Sequence, residues 1–121
     1  MLRSGLPIIA LARSVAGTTQ CPPLRVQGLD SLAERLREYK AAGCVFAKWR
    51  SPLTIDVAAG KPSQLAIECN MRDQARYALI CQTEGVVPIV EPDLVLAGSH
   101  TLEDAVEINV RVVNMLFVCL N

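Results

Sequence analysis

The residues best suited to chemistry are Lys48, Arg50 and Glu91. Lys48 and Arg50 stand two apart in Phe46-Ala47-Lys48-Trp49-Arg50, a short apolar run that reads as a strand. Strand side chains alternate, so Lys48 and Arg50 share a face with Phe46, and Val45, Ala47 and Trp49 take the other. Two cations on a buried strand are costly unless an anion meets them. A carboxylate, a phosphate or a substrate would serve. Glu91 closes a second apolar run, Val86 to Glu91, and shares its face with Val87 and Ile89. If the two strands are neighbours, Lys48 and Glu91 come within reach. An ammonium beside a carboxylate in a sheltered mouth suits proton transfer, and a plain buried ion pair is the alternative. Arg50 offers a planar fork that matches phosphate, or a rim acid as its partner.

Other reactive side chains carry less. His100 is the only histidine. It sits in a Gly-Ser-His turn and reads as a surface or capping residue. One histidine at these spacings builds no zinc site. Asp93 reads as a loop acid, and Asp56 and Lys61 as solvated loop charges. The five cysteines have no metal-ligand or CxxC spacing and read as reduced thiols filling apolar space. The glycines belong to no phosphate-binding loop.

The elements that position these residues follow from pattern. Gly5 to Ala12 is a candidate strand weakened by Pro7, and residues 16–27 read as loop. Ser31 with Glu34 has the spacing of a capping box, and Leu32, Leu36 and Tyr39 continue a helix over about 31–42. A strand over 44–50 follows, ended by Ser51-Pro52, and 51–62 reads as loop, with a short extended piece at Leu53-Thr54-Ile55 as the alternative. Ser63 caps a long helix over about 63–84. The strand 86–91 is stopped by Pro92. Thr101 opens a last helix that runs to Asn121. Strands apolar on both faces, alternating with helices, predict an α/β fold with a parallel sheet and its charges at the strands' C-terminal ends. Sites form there in such folds.

A chain of 121 residues supports one small domain. Twelve basic and twelve acidic residues balance, so there is no general electrostatic case for nucleic acid or an anionic membrane. The longest apolar run, Val112 to Leu120, is too short to span a bilayer. Arg3, Arg13 and Arg25 precede the first acid, Asp30. That composition suits an ordinary strand whose acidic neighbours lie elsewhere, with a targeting segment as the alternative.

Four stretches resemble class I fructose-bisphosphate aldolase: Gln27-Gly28-Leu29-Asp30, Phe46 to Arg50, Ala75 to Gln82, and Val87-Pro88-Ile89-Val90-Glu91-Pro92. The resemblance runs from about Gln27 to Asn121, with Ala16-Gly17-Thr18 as a candidate extension, and leaves 1–26 as a divergent N-terminal segment. It implies that 27–121 is the central part of a (β/α)8 TIM barrel, about three consecutive β/α units. It implies cleavage of fructose 1,6-bisphosphate to dihydroxyacetone phosphate and glyceraldehyde 3-phosphate, in glycolysis and gluconeogenesis, without metal or cofactor. The substrate implied is a sugar phosphate, the compartment the cytoplasm, with a plastid or mitochondrion as alternatives. In the family a lysine forms a Schiff base with the ketose. Lys48 matches the lysine that helps form and dehydrate the carbinolamine, Glu91 the acid/base of those steps, and Arg50 an arginine at the phosphate end.

The departures are as informative. The Schiff-base lysine lies on a strand beyond the last residue of this sequence. Leu6-Pro7-Ile8-Ile9 stands where the family has a Lys-x-Asp strand. Asp93 replaces a glutamate, and Val118 a lysine. The expectation is therefore a barrel fragment without activity of its own. The alternative is a non-catalytic short form that associates with full-length aldolase subunits.

Overall fold

The computed structural model describes residues 13–14 and 26–121. The candidate strand 5–12 lies outside them. Two short strands, β1 (Arg13–Ser14) and β2 (Val26–Gln27), pair antiparallel, so the end of the expected 16–27 loop is strand. Helix α1 (Leu32–Ala41), strand β3 (Phe46–Thr54), helix α2 (Gln64–Thr83), strand β4 (Val87–Val95) and helix α3 (Leu102–Leu120) follow. β3 and β4 are parallel neighbours joined through α2, with Phe46 opposite Val87 and Thr54 opposite Val95.

Both strands outrun their expected ends. β3 continues through Ser51-Pro52, and β4 through Pro92. A proline breaks a ladder only where its missing N–H would have bonded the partner strand. Among the described residues each strand is paired on one edge only, so an edge-facing proline costs nothing there. The extension moves the charges inward. Lys48 and Arg50 are the third and fifth of nine residues in β3, rather than its end.

The helix starts differ in the same instructive way. Ser31 makes no side-chain cap; its backbone is left-handed at φ 49°. The Leu32 N–H donates to the Leu29 carbonyl at 3.2 Å instead, and the Arg35 guanidinium takes the carbonyls of Gly28 and Asp30. Ser63 does cap α2, accepting from the Ala66 N–H at 3.2 Å. At the far end of α2, the Arg37 fork on α1 holds both oxygens of Glu84 at 2.8 Å, tying the two helices. Gly85 turns the chain there at φ 69°, a left-handed value that suits glycine.

Helix α3 opens on a complete capping box: the Thr101 hydroxyl accepts from the Asp104 N–H, and the Asp104 carboxylate accepts from the Thr101 N–H. The Thr101 N–H, and after it the Thr101 hydroxyl, both donating to Oδ2, hold the Asp104 carboxyl below the usual carboxylate range, with a smaller push from His100. A depressed acid contributes stability above its unfolded value and loses it as pH falls through its folded value. Wild type is therefore expected to hold more helix than Asp104→Asn at pH 6, and the gap to close on acidification towards pH 3. Circular dichroism checks this; a gap that widens on acidification contradicts it.

The core has two apolar clusters on the helix side of the sheet. Leu32 and Leu36 of α1, Ala47 and Trp49 of β3, and Tyr77, Ala78 and Cys81 of α2 form the first. Leu53, Ile55, Ile67 and Met71 meet Ile108, Val112 and Leu116 of α3 in the second. Burial pushes the Tyr77 phenol and the Cys81 thiol up, so both stay neutral. That agrees with reading Cys44 and Cys81 as apolar filler; Cys69 and Cys119 are half-buried, all four are free, and Cys21 lies outside the described residues. Polar groups are buried here too. Gln74 is 0% exposed with neither amide atom hydrogen-bonded, and Ser51 is equally buried with its hydroxyl unbonded. Each such group costs about 1–3 kcal/mol, and it is their residue types, rather than their positions on the buried faces of α2 and β3, that read as exterior.

Candidate active site

The other face of the sheet carries the charges. Ala47, Trp49, Ser51 and Leu53 of β3 are buried towards the helices. Phe46, Lys48, Arg50 and Pro52 point the opposite way, and across the register so do Val87, Ile89, Glu91 and Asp93. Among the described residues the helices cover one face of the sheet, and no element covers the charged face. Val87 is 61% exposed, and Lys48, expected to be buried, is 39% exposed. One face is packed; the charged one is open.

Lys48 and Glu91 do meet. Nζ of Lys48 lies 2.7 Å from Oε2 of Glu91, an ion pair whose angles fall outside hydrogen-bond geometry. Arg50 pairs with Asp93: its Nε donates to Oδ2 at 2.8 Å, and Nη2 contacts the same oxygen. The two pairs share one geometry. Lys48 stands opposite Ile89 and Arg50 opposite Glu91, so each cation reaches the acid two residues further along β4. Such diagonals span roughly 7–8 Å between Cα atoms, within reach of long side chains.

Asp93 is thus a strand residue facing Arg50 rather than a loop acid. The sequence held the signal. Lys48 and Arg50 are spaced by two, and so are Glu91 and Asp93, a match that parallel strands convert into paired charges. Of the other candidates, His100 is half-buried in the turn before α3 with Nδ1 unbonded. Asp56 and Lys61 close a small turn, exchanging both backbone hydrogen bonds at 3.1 and 2.8 Å. Among the described residues no three His, Cys, Asp or Glu side chains gather to hold a metal ion, and no helix is long and apolar enough to cross a membrane.

A face with an ammonium against a carboxylate, and a guanidinium beside them, can move a proton and attract an anion. The chain as a whole is similar to known proteins. A family model described as class-I fructose-bisphosphate aldolase, glycolytic, matches residues 7–121. A fructose-bisphosphate aldolase of Dictyostelium discoideum is 52% identical over 95 residues, 78% of this chain and 27% of that protein. One from Plasmodium falciparum is 48% identical over 94 residues, again 78% of this chain and 26% of the relative. A cytosolic fructose-bisphosphate aldolase of Arabidopsis thaliana is 46% identical over 95 residues. Among solved structures, Plasmodium falciparum fructose-bisphosphate aldolase, crystallised with TRAP and a small-molecule inhibitor, superposes with a TM-score of 0.88 at 41% identity. The superposition covers 95% of this chain and 33% of that one. The chain spans about a quarter of the length of the curated relatives it matches.

Proposed function

This chain belongs to the class-I fructose-bisphosphate aldolase family, as part of a TIM barrel, and from that premise we propose that its open sheet face is one wall of an aldolase site. Lys48 and Glu91 are the proton-transferring pair of that wall. Glu91 gives and takes protons while the ketose carbonyl is converted to a Schiff base, and Lys48 holds the opposite charge beside it. Arg50 supports the phosphate end. The substrate is fructose 1,6-bisphosphate, cleaved to dihydroxyacetone phosphate and glyceraldehyde 3-phosphate in glycolysis, and reformed in gluconeogenesis. The compartment is the cytosol, as the names of two Arabidopsis relatives suggest. The observation that carries the reading is the 2.7 Å approach of Lys48 to Glu91 on the face the helices leave open.

The wall is not a whole site. None of the described lysines stands on a further strand facing Lys48, and two described parallel strands cannot close a barrel. The purified 121-residue polypeptide is therefore expected to cleave no fructose 1,6-bisphosphate above the reagent blank in a coupled assay. Measurable cleavage by that polypeptide contradicts the reading that this wall alone is incomplete.

A second reading, association with full-length aldolase subunits, is favoured by a separate observation. Val87 and Ile89 on the open sheet face are exposed, and so are Val106, Val110, Phe117 and Val118 of α3. An apolar surface of this kind seeks cover. The polypeptide is expected to elute from a sizing column above its monomer mass of 13.1 kDa, or with co-expressed full-length subunits. A monodisperse monomer with a sharp two-state thermal transition contradicts it.

A further inference from the structure

We propose that Asp93 is a positioning residue that sorts the two cations of this face: by occupying Arg50, it reserves Glu91 for Lys48. The inference rests on reading Lys48 and Glu91 as the reactive pair, and deepens it.

The register makes the observed pairing unexpected. Arg50 stands directly opposite Glu91, whereas Lys48 stands opposite Ile89. Directly opposed side chains are the closer neighbours in a sheet. Arginine is also the better partner for a carboxylate, because its planar fork can bond both oxygens. Distance and chemistry both favour an Arg50–Glu91 pair. The molecule has neither oxygen of Glu91 on Arg50; Nζ of Lys48 is there instead.

Asp93 accounts for this. It lies on the same face of β4, two residues beyond Glu91, and takes both Nε and Nη2 of Arg50 on Oδ2. Its own opposite residue is Pro52, which brings no charge to compete. The guanidinium is drawn along the strand, away from Glu91, and the vacated carboxylate is met by Lys48 from the other side. Both pairs are then diagonals of the same sense. Without the Asp93 charge, the guanidinium swings back to Glu91 and displaces the ammonium. The sorting needs a carboxylate at this position and an arginine to be held; it does not need a particular chain length, so Asp93→Glu preserves it.

Competitive acetylation of the full chain by acetic anhydride, read at Lys48 by mass spectrometry, tests this. Labelling reports how firmly the amine is held as an ion pair. Iodoacetamide labelling of Cys81, which is 0% exposed, reports in parallel whether the fold is kept. In Asp93→Asn, Lys48 labelling is expected to rise about three- to tenfold. In an Arg50→Met background the same change is expected to alter it by less than about twofold, because no guanidinium is left to compete. Asp93→Glu is expected to match wild type. An equal rise in both backgrounds overturns the proposal, since it would reflect only a lost negative charge. So does no rise in either, or a rise in Asp93→Glu with Cys81 still protected. Where Asp93→Asn exposes Cys81, Asp93→Ser is compared in the same two backgrounds by the same criteria. The labelling reads pairing, not turnover, so its failure leaves the acid–base reading standing.

Discussion

Replacing Trp49 by alanine is expected to lower the stability of the chain by about 3–5 kcal/mol, the usual cost of emptying a large aromatic site in a core. Trp49 is fully buried and lies at the centre of the first apolar cluster. Its ring packs on that of Tyr77, with centroids 5.3 Å apart and planes tilted by 40°. Aromatic pairs in this arrangement contribute beyond their buried area. The indole also joins three elements, since the same cluster holds Leu36 of α1, Trp49 of β3 and Cys81 of α2. Its backbone lies between Lys48 and Arg50, so a collapse there shifts the charged face as well. Urea unfolding followed by circular dichroism measures the loss. A midpoint unchanged from wild type would mean that α1 and α2 do not depend on this side chain.

The second large effect is catalytic. Residues 27–121 can replace the matching stretch of the Dictyostelium discoideum enzyme, which is 52% identical over 95 residues. In that chimera, Glu91→Gln is expected to lower kcat by about 10²–10⁴, the typical contribution of one general acid–base. The amide keeps the shape of the side chain but neither holds a proton nor attracts Lys48. KM is expected to change far less, because the proposal places Glu91 at the reacting centre and Arg50 at the phosphate end. A chimera in which Glu91→Gln turns over at the parent rate removes Glu91 from the acid–base role. A change confined to KM would make it a binding residue instead.

Much of this was legible from residue order. Ser63 and Thr101 cap their helices as their types suggest, and Gly85 ends α2. The Lys48–Glu91 contact followed from two charged apolar strands alone. Three things were not legible, each for a physical reason. Prolines 52 and 92 read as strand stops because one-dimensional pattern does not show which edge of a strand is paired; on a free edge a proline is harmless. Ser31 read as a cap from its type and spacing, but the left-handed backbone there removes its hydroxyl from the helix. Burial of Lys48 was inferred from apolar neighbours in sequence. Those neighbours alternate, so Trp49 is buried while Lys48 beside it stays open. Gln74 is the converse: its residue type reads as exposed, but helical spacing puts it on the face of Ile67, Met71, Ala78 and Cys81, and it is buried there.

The central claim is that Phe46 to Arg50 and Val87 to Asp93 supply one competent wall of an aldolase site. The most direct test is turnover of the unsubstituted chimera, with 27–121 in the Dictyostelium frame and fructose 1,6-bisphosphate as substrate. Cleavage within about tenfold of the parent enzyme is predicted, a difference of about 1.4 kcal/mol in barrier. A chimera that folds and assembles as the parent does, yet cleaves nothing, would contradict the claim.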